Sequence, residues 1–156
     1  MIISDSTTII TLINIDEFRV LKLFIDSIII PHEVYDEICK KPSAKKFLDK
    51  EIKNKFISIE SYDDKSLFKQ INYILDSGES ASITMAIERE LPLIIDEKKG
   101  RKFAKLQGVE IIGLVGILRF LYIEKRLNKD EILKIVEKLN DSDFRISPSL
   151  LELILL

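Results

Sequence analysis

Short apolar runs alternate with segments of helical periodicity along most of the chain. The apolar runs predict buried strands at residues 2–3, 28–30, 56–59, 93–95 and 110–112. Apolar spacing typical of helices covers residues 6–14, 17–24, 32–40, 44–53, 65–75, 79–90, 97–107 and 114–125. Near-continuous apolar strands separated by helices are typical of a parallel sheet covered on both faces. The pattern therefore predicts an α/β fold with a parallel four- to five-stranded sheet flanked by helices.

The pattern changes to all-helical beyond Asn128. One amphipathic helix is indicated by apolar residues at helical spacing, namely Ile132, Leu133, Ile135, Val136 and Leu139. Residues 150–156 are apolar enough to need cover, either from the body of the protein or from a partner chain. We therefore predict an α/β domain over residues 1–127 and a helical C-terminal extension over residues 128–156.

Composition excludes several classes of site. The net charge of −2 leaves no globally basic surface, so nucleic-acid binding would need a local patch. A single cysteine, Cys39, excludes an internal disulfide and indicates a reducing compartment. The one histidine, His32, cannot build a zinc site of several His and Cys ligands. Its position directly after Pro31 also argues against a Ser-His-Asp hydrolase.

The most apolar long stretch, residues 109–123, is interrupted by Glu110 and Arg119. It is also shorter than the roughly 20 residues that a membrane-spanning helix needs. The start of the chain lacks the basic and apolar regions of a signal peptide. We therefore expect no membrane span and a cytoplasmic location.

Four acidic residues stand at predicted strand ends or helix starts. Asp5 and Asp96 directly follow the first and fourth strands, Glu79 begins a helix, and Glu37 lies about one turn into the helix after Pro31. Taken singly, each is more often a helix cap or a solvated residue. Taken together, they belong to the carboxyl edge of a parallel sheet, where α/β proteins bind ligands. Clustered carboxylates repel one another unless protons or cations neutralise them, and Mg²⁺ and Mn²⁺ prefer oxygen ligands. This constellation predicts a metal-dependent cleft suited to phosphodiester hydrolysis.

The helix after Asp96 carries a basic face. Lys98, Arg101, Lys102 and Lys105 are spaced to share one side of it. Most charge runs of this kind are solvated faces, whereas a run beside a metal cleft can also contact phosphates. The sequence leaves both interpretations open.

Several motifs occur in a fixed order along the chain. They are Ile2-Ile3-Ser4-Asp5-Ser6-Thr7, Pro31-His32-Glu33-Val34-Tyr35-Asp36-Glu37, Gly78-Glu79-Ser80-Ala81, the segment from Leu93 to Ala104 with Asp96 and Gly100-Arg101, and Ile112-Gly113-Leu114-Val115-Gly116-Ile117-Leu118. In this order they resemble the PIN domain, in particular its branch of VapC-like toxin ribonucleases. The resemblance runs from Ile2 to about Leu127.

The resemblance implies an endoribonuclease that uses Mg²⁺ or Mn²⁺. Such proteins are often toxins held inactive by an antitoxin protein, and often homodimers. The catalytic acids it implies are Asp5, Glu37, Glu79 and Asp96. Of these, Asp5, Glu79 and Asp96 would be the principal metal ligands, with Glu97 where the family often has a further Asp. Ser6 and Thr7 would support the carboxylates or simply start the helix. If the basic face after Asp96 is functional, Lys98, Arg101 and Lys102 would contact RNA phosphates.

Three other functions stay open at this level. The first is a PIN-like nucleic-acid-binding module that no longer cleaves. The second is a metal-dependent phosphatase of the haloacid-dehalogenase type, which needs a second Asp where this chain has Thr7. The third is a Rossmann-like nucleotide binder, for which the chain lacks a Gly-x-Gly-x-x-Gly sequence.

Overall fold

One parallel sheet of five strands forms the centre of the computed structural model, which describes residues 1–156. The strands are β1 (Ile2–Ser4), β2 (Ile28–Pro31), β3 (Ile57–Glu60), β4 (Leu93–Ile94) and β5 (Ile111–Ile112), in the order β3-β2-β1-β4-β5. In the central strand, Ile3 pairs with Ile29 on β2 and with Leu93 on β4. The predicted parallel α/β fold is confirmed, with all five strands present.

Ten helices surround the sheet. They are α1 (Ser6–Asn14), α2 (Arg19–Phe24), α3 (His32–Ile38), α4 (Pro42–Lys53), α5 (Lys65–Asn72), α6 (Ser77–Arg89), α7 (Lys98–Leu106), α8 (Leu114–Ile123), α9 (Lys129–Asn140) and α10 (Pro148–Ile154). No helix is both long enough and apolar enough to span a membrane. Gly108, just past the end of α7, has a φ of +79°, a left-handed conformation that ends helices readily.

The sheet separates two apolar cores because successive strand residues point to opposite faces. Ile2, Ile28 and Ile30 belong to the larger core, with residues of α1 to α4 and α8 to α10. Ile3 and Ile29 belong to the smaller core, with residues of α5, α6 and α7. The inner strands β1, β2 and β4 are therefore buried on both sides, which explains their mostly apolar sequences.

The C-terminal helices pack on the same body as the rest of the chain. Ile132 and Ile135 of α9 and Ile154 of α10 are fully buried members of the larger core. Asn128 and Glu131 form a reciprocal capping box at the start of α9. Part of the apolar tail thus finds its cover on α8, whereas Leu153 and Leu156 are exposed.

The order of strands creates a crevice at one edge of the sheet. From β1 the chain proceeds to β2 and β3 on one side, and it then returns to β4 and β5 on the other side. Ligands of open α/β sheets bind at such a reversal point, outside the carboxyl ends of the strands. Helices α1, α3, α7 and α8 all begin at this carboxyl edge, because each follows a strand closely. Their amino-terminal ends favour negative charge there.

Candidate active site

The structure gathers the four predicted acids at the carboxyl edge of the sheet. Asp5 lies between β1 and α1, Glu37 in α3, Glu79 in the first turn of α6, and Asp96 between β4 and α7. Asp5 and Glu79 are buried, whereas Glu37 and Asp96 are half-buried. Four distant segments therefore place carboxylates in one region, as the strand-end positions predicted.

Asp5 is the most deeply buried of these acids, with 2% of its surface exposed. Its carboxylate makes no capping hydrogen bond to α1, and its Oδ1 atom has no hydrogen-bond partner. Burial raises the pKa of Asp5 to about 7; a hydrogen bond from the Ser6 backbone opposes this, and the charges of Asp76, Glu37 and Glu97 add to it. A buried, unpartnered carboxylate of this kind needs a proton or a cation.

Three carboxylates face a space that exists because residue 78 has no side chain. A Cβ atom at Gly78 would lie 2.9 Å from Glu37 Oε2, 3.5 Å from Asp5 Oδ1 and 3.7 Å from Asp76 Oδ1. Asp76 was not among the predicted site residues. Its Oδ1 accepts a hydrogen bond of 2.8 Å from the Glu79 backbone N–H, so it caps α6 as well as facing this space. The signal for it in the sequence was an Asp three residues before a predicted catalytic Glu.

Glu79 lies under α7. Its Oε2 atom would be 2.6 Å from a Cβ at Gly100, so α7 can approach this closely only with glycine there. The pKa of Glu79 is raised to about 8, first by burial, then by a hydrogen bond shared with Asp76 and by the charges of Asp76, Asp5 and Glu97. Glu79 and Asp5 are therefore both carboxyls that resist ionisation in the absence of a cation.

Asp96 is held by contacts that the sequence did not reveal. Its two oxygens accept hydrogen bonds of 3.0 and 3.3 Å from the Leu114 backbone N–H, and Oδ2 also accepts one from the Thr8 hydroxyl. Asp96 therefore accepts from the start of α8, and the capping position of α7 belongs to Glu97. Burial raises the pKa of Asp96, against the hydrogen bonds from Thr8 and Leu114 and the positive charge of Arg101.

Hydroxyl groups at the start of α1 orient three of the acids. Ser6 Oγ donates a hydrogen bond of 2.8 Å to Glu37 Oε2. Thr7 Oγ1 donates a hydrogen bond of 3.2 Å to Oε1 of Glu97, and Glu97 is an exposed residue. Three consecutive residues, from Ser6 to Thr8, thus each hold a different carboxylate through a side-chain hydroxyl.

The donor set suits a hard divalent cation. All the candidate ligands are carboxylate oxygens, the type that Mg²⁺ and Mn²⁺ prefer. The unpartnered Oδ1 of Asp5 and the carboxylate oxygens gathered beside Gly78 fit a cation as the missing partner. No three of these side chains are arranged to hold an ion as they stand. Binding one would therefore require the side chains to move toward it.

The two walls beside the acids differ in charge. On α7, Lys98, Lys99, Lys102 and Lys105 are exposed and none forms an ion pair within 4 Å. Arg101 is half-buried, and its Nη1 donates a hydrogen bond of 2.8 Å to Ile95 O beside Asp96. The opposite wall is a groove of about 400 Å³, whose lining is mostly acidic: Glu33, Asp36, Glu37, Lys40, Asp76 and Ser77.

The fold and this edge define an α/β protein with a carboxylate-rich cleft at the reversal point of a parallel sheet. The whole chain, residues 1–156, matches the family model described as PIN domain, and the chain belongs to the PIN-domain family. Proteins of this family are generally nucleases, which are hydrolases, and they typically use divalent metals. No curated protein matches the chain. The predicted membership of the family is confirmed, and the VapC-like branch stays a prediction.

Proposed function

We propose that the chain is a metal-dependent endoribonuclease that hydrolyses RNA phosphodiesters. One observation carries the proposal. The buried Asp5 has an unpartnered Oδ1, and a carboxylate oxygen of Glu37 lies close to the same point beside Gly78. Burying a carboxylate without a partner destabilises the folded protein. A cation bound by that carboxylate would offset this cost.

In this proposal Asp5, Glu79 and Asp96 hold Mg²⁺ or Mn²⁺, with Glu97 beside them. When bound, such a cation activates water and stabilises the leaving oxygen of a phosphodiester. The chain's own contribution is placement. Thr8 and the Leu114 N–H fix Asp96, while Ser6 fixes Glu37, which would orient the attacking water and accept its proton.

The charge of the two walls supports a route for the RNA. The lysines of α7 are free to contact phosphates, whereas the acidic groove beside α3 would repel phosphates. Lys98 and Lys102 are the better phosphate contacts, because Arg101 already donates to Ile95 O. The RNA backbone would therefore approach the acids from the α7 side.

We infer a toxin role from the VapC-like motifs, with an antitoxin protein as the partner and the cytoplasm as the place of action. From the same motifs we infer that the chain forms a homodimer. Exposed apolar side chains on α8 and α10, namely Phe120, Ile123 and Leu153, offer a surface for either partner.

An inactive nucleic-acid-binding module is the second candidate. The observation that favours it is that no three acidic side chains are arranged to hold a metal ion as they stand. A haloacid-dehalogenase-type phosphatase is less well supported, because Thr7 stands where a second Asp is needed and its hydroxyl holds Glu97.

The test is cleavage of a mixed structured RNA with Mg²⁺, Mn²⁺ or EDTA, using the wild type, Asp5→Asn, Asp96→Asn and Asp130→Asn. Asp130 is an exposed acid on α9 and serves as the matched control. We expect metal-dependent internal cleavage by the wild type and by Asp130→Asn, and at least a hundredfold loss in the two site variants, on the order expected for removing a metal ligand or its positioning partner. Full activity of Asp96→Asn would refute the site. RNA binding without cleavage by the wild type would favour the inactive module.

A further inference from the structure

The turn between α5 and α6 exposes an aromatic and an aliphatic side chain. Tyr73 is 85% exposed and Ile74 is 53% exposed, whereas Ile71 and Leu75 on either side are buried. Hydrogen bonds of 2.9 and 3.0 Å from the backbone N–H groups of Ile74 and Leu75 to Ile71 O hold the turn. The apolar surface is therefore presented by a fixed segment, which lowers the entropic cost of binding to it.

This turn lies at the carboxyl edge of the sheet. The backbone N–H of Asp64, which caps the start of α5, donates a hydrogen bond of 2.8 Å to Glu88 Oε1 near the end of α6. The two helices are thus antiparallel, and the end of α5 meets the start of α6. Tyr73 precedes Asp76 by only three residues, so their Cα atoms are at most about 11 Å apart.

The turn and the lysines of α7 stand on opposite sides of the acids. Helices α5, α6 and α7 cover the same face of the sheet. Helix α6 packs on α5, β1, β2 and β4, and α7 packs beside β5 at the far edge. A single RNA strand that crosses the start of α6 would therefore have Lys98 and Lys102 on one side and Tyr73 on the other.

We propose that Tyr73, with Ile74 beside it, stacks on a base of single-stranded RNA next to the phosphodiester held by the acids. The inference rests on the proposed ribonuclease function. A base is uncharged, so it can lie near Asp76 and the acidic groove, where a phosphate would be repelled. Aromatic side chains at such edges bind splayed bases by stacking. Tyr73 would then help to select which phosphodiester is cut.

The test uses Asp96→Asn as a background that binds RNA without cutting it. Tyr73→Ala, Tyr73→Phe and Leu106→Ala are compared for binding of a labelled single-stranded RNA in Mn²⁺ by fluorescence anisotropy. Leu106 is a matched control, because it is 75% exposed but lies at the far end of α7. We expect affinity about tenfold weaker for Tyr73→Ala, as for the loss of one stacked base. Tyr73→Phe and Leu106→Ala should bind like the background protein, with unfolding temperatures unchanged.

A second measurement separates stacking from a general effect. RNAs with one base removed at each position in turn are bound by the background protein and by Tyr73→Ala. One base position should matter to the protein with Tyr73 and cease to matter in Tyr73→Ala. Equal affinity of the two proteins, or an equal loss at every position, would overturn the inference. Neither result affects metal-dependent cleavage by the wild type, on which the proposed function is judged.

Discussion

The Ser6 hydroxyl donates a hydrogen bond of 2.8 Å to Glu37 Oε2, and so joins the start of α1 to the last turns of α3. The bond fixes one oxygen of a half-buried acid next to the buried Asp5. In the proposed mechanism Glu37 is the oriented base, so this hydroxyl would act on the chemistry through Glu37.

Replacing Ser6 by alanine should release Glu37. We expect kcat for RNA cleavage to fall about tenfold, since positioned general bases contribute factors of this order or larger. The free energy of unfolding should drop by only about 1 kcal/mol, the net value of one hydrogen bond. Ser66→Ala, an exposed serine on α5, is the control and should change neither quantity. Unchanged kcat in Ser6→Ala would remove Glu37 orientation from the mechanism.

Gly78→Ala should separate metal binding from stability. The added Cβ would lie 2.9 Å from Glu37 Oε2 and would occupy the space that the acids face. We expect Mn²⁺ affinity, measured by calorimetry, to fall at least about tenfold. Stability in EDTA should hold or rise by up to about 1 kcal/mol, because alanine suits a helix better than glycine. Gly116→Ala in α8 should leave Mn²⁺ affinity unaltered, and a Gly78→Ala protein with normal affinity would place the cation elsewhere.

The sequence predicts the positions of the acids but not the contacts that fix them. The acids Asp5 and Asp96 were predictable because each directly follows an apolar strand, and the carboxyl ends of parallel strands share one edge. What fixes Asp96 was not predictable. Its partners Thr8 and Leu114 lie 88 and 18 residues away along the chain, so only the folded chain brings them together.

Local patterns also leave open an alternative that the structure excludes. Taken singly, an acid after a strand and before a helix is often a helix cap, but Glu97 and not Asp96 takes the capping position of α7. Asp76 was not predicted as a site residue, because only part of its role is visible in the local sequence. Its local role as a helix cap is visible in the sequence, whereas its approach to Glu37 and Asp5 depends on how α6 packs against α3.

The stability of the metal-free protein should fall as pH rises from about 4 to about 7. The pKa of Asp5 is about 7 in the folded protein against an ordinary value of 3.8, so within this range the folded state binds a proton that the unfolded state has lost. Chemical unfolding in EDTA at pH 5, 6, 7 and 8 measures the slope. Glu79, whose pKa is raised to about 8, extends the fall upward.

Asp5→Asn should flatten this dependence, because asparagine carries no charge at any of these pH values. At pH 8 in EDTA we expect the variant to be more stable than the wild type by up to about 4 kcal/mol, because a pKa raised from 3.8 to about 7 corresponds to about 1.4 kcal/mol for each pKa unit. Saturating Mn²⁺ should reverse the order of stability, because only the wild type gains from binding the ion. A variant less stable than the wild type in EDTA would contradict a burial penalty at Asp5.

The α7 lysines should act on RNA through charge. Changing Lys98, Lys99 and Lys102 together to alanine should weaken RNA binding at low salt. It should also reduce the slope of log affinity against log salt by about 0.7 for each phosphate that the protein no longer neutralises. Lys46, Lys50 and Lys53 on α4 form the matched triple, being exposed and outside any ion pair. Equal slopes for the two triple variants would indicate that α7 presents only a solvated face.

The position of β4 in the sheet has a consequence for synthesis of the chain. This strand is made late, yet it lies beside β1, which is made first. Asp96 follows it, and the backbone N–H that fixes Asp96 belongs to Leu114. A nascent chain on the ribosome therefore lacks the complete acidic site until Leu114 has left the exit tunnel. In the proposed function, the nuclease activity would therefore begin only after this point in synthesis.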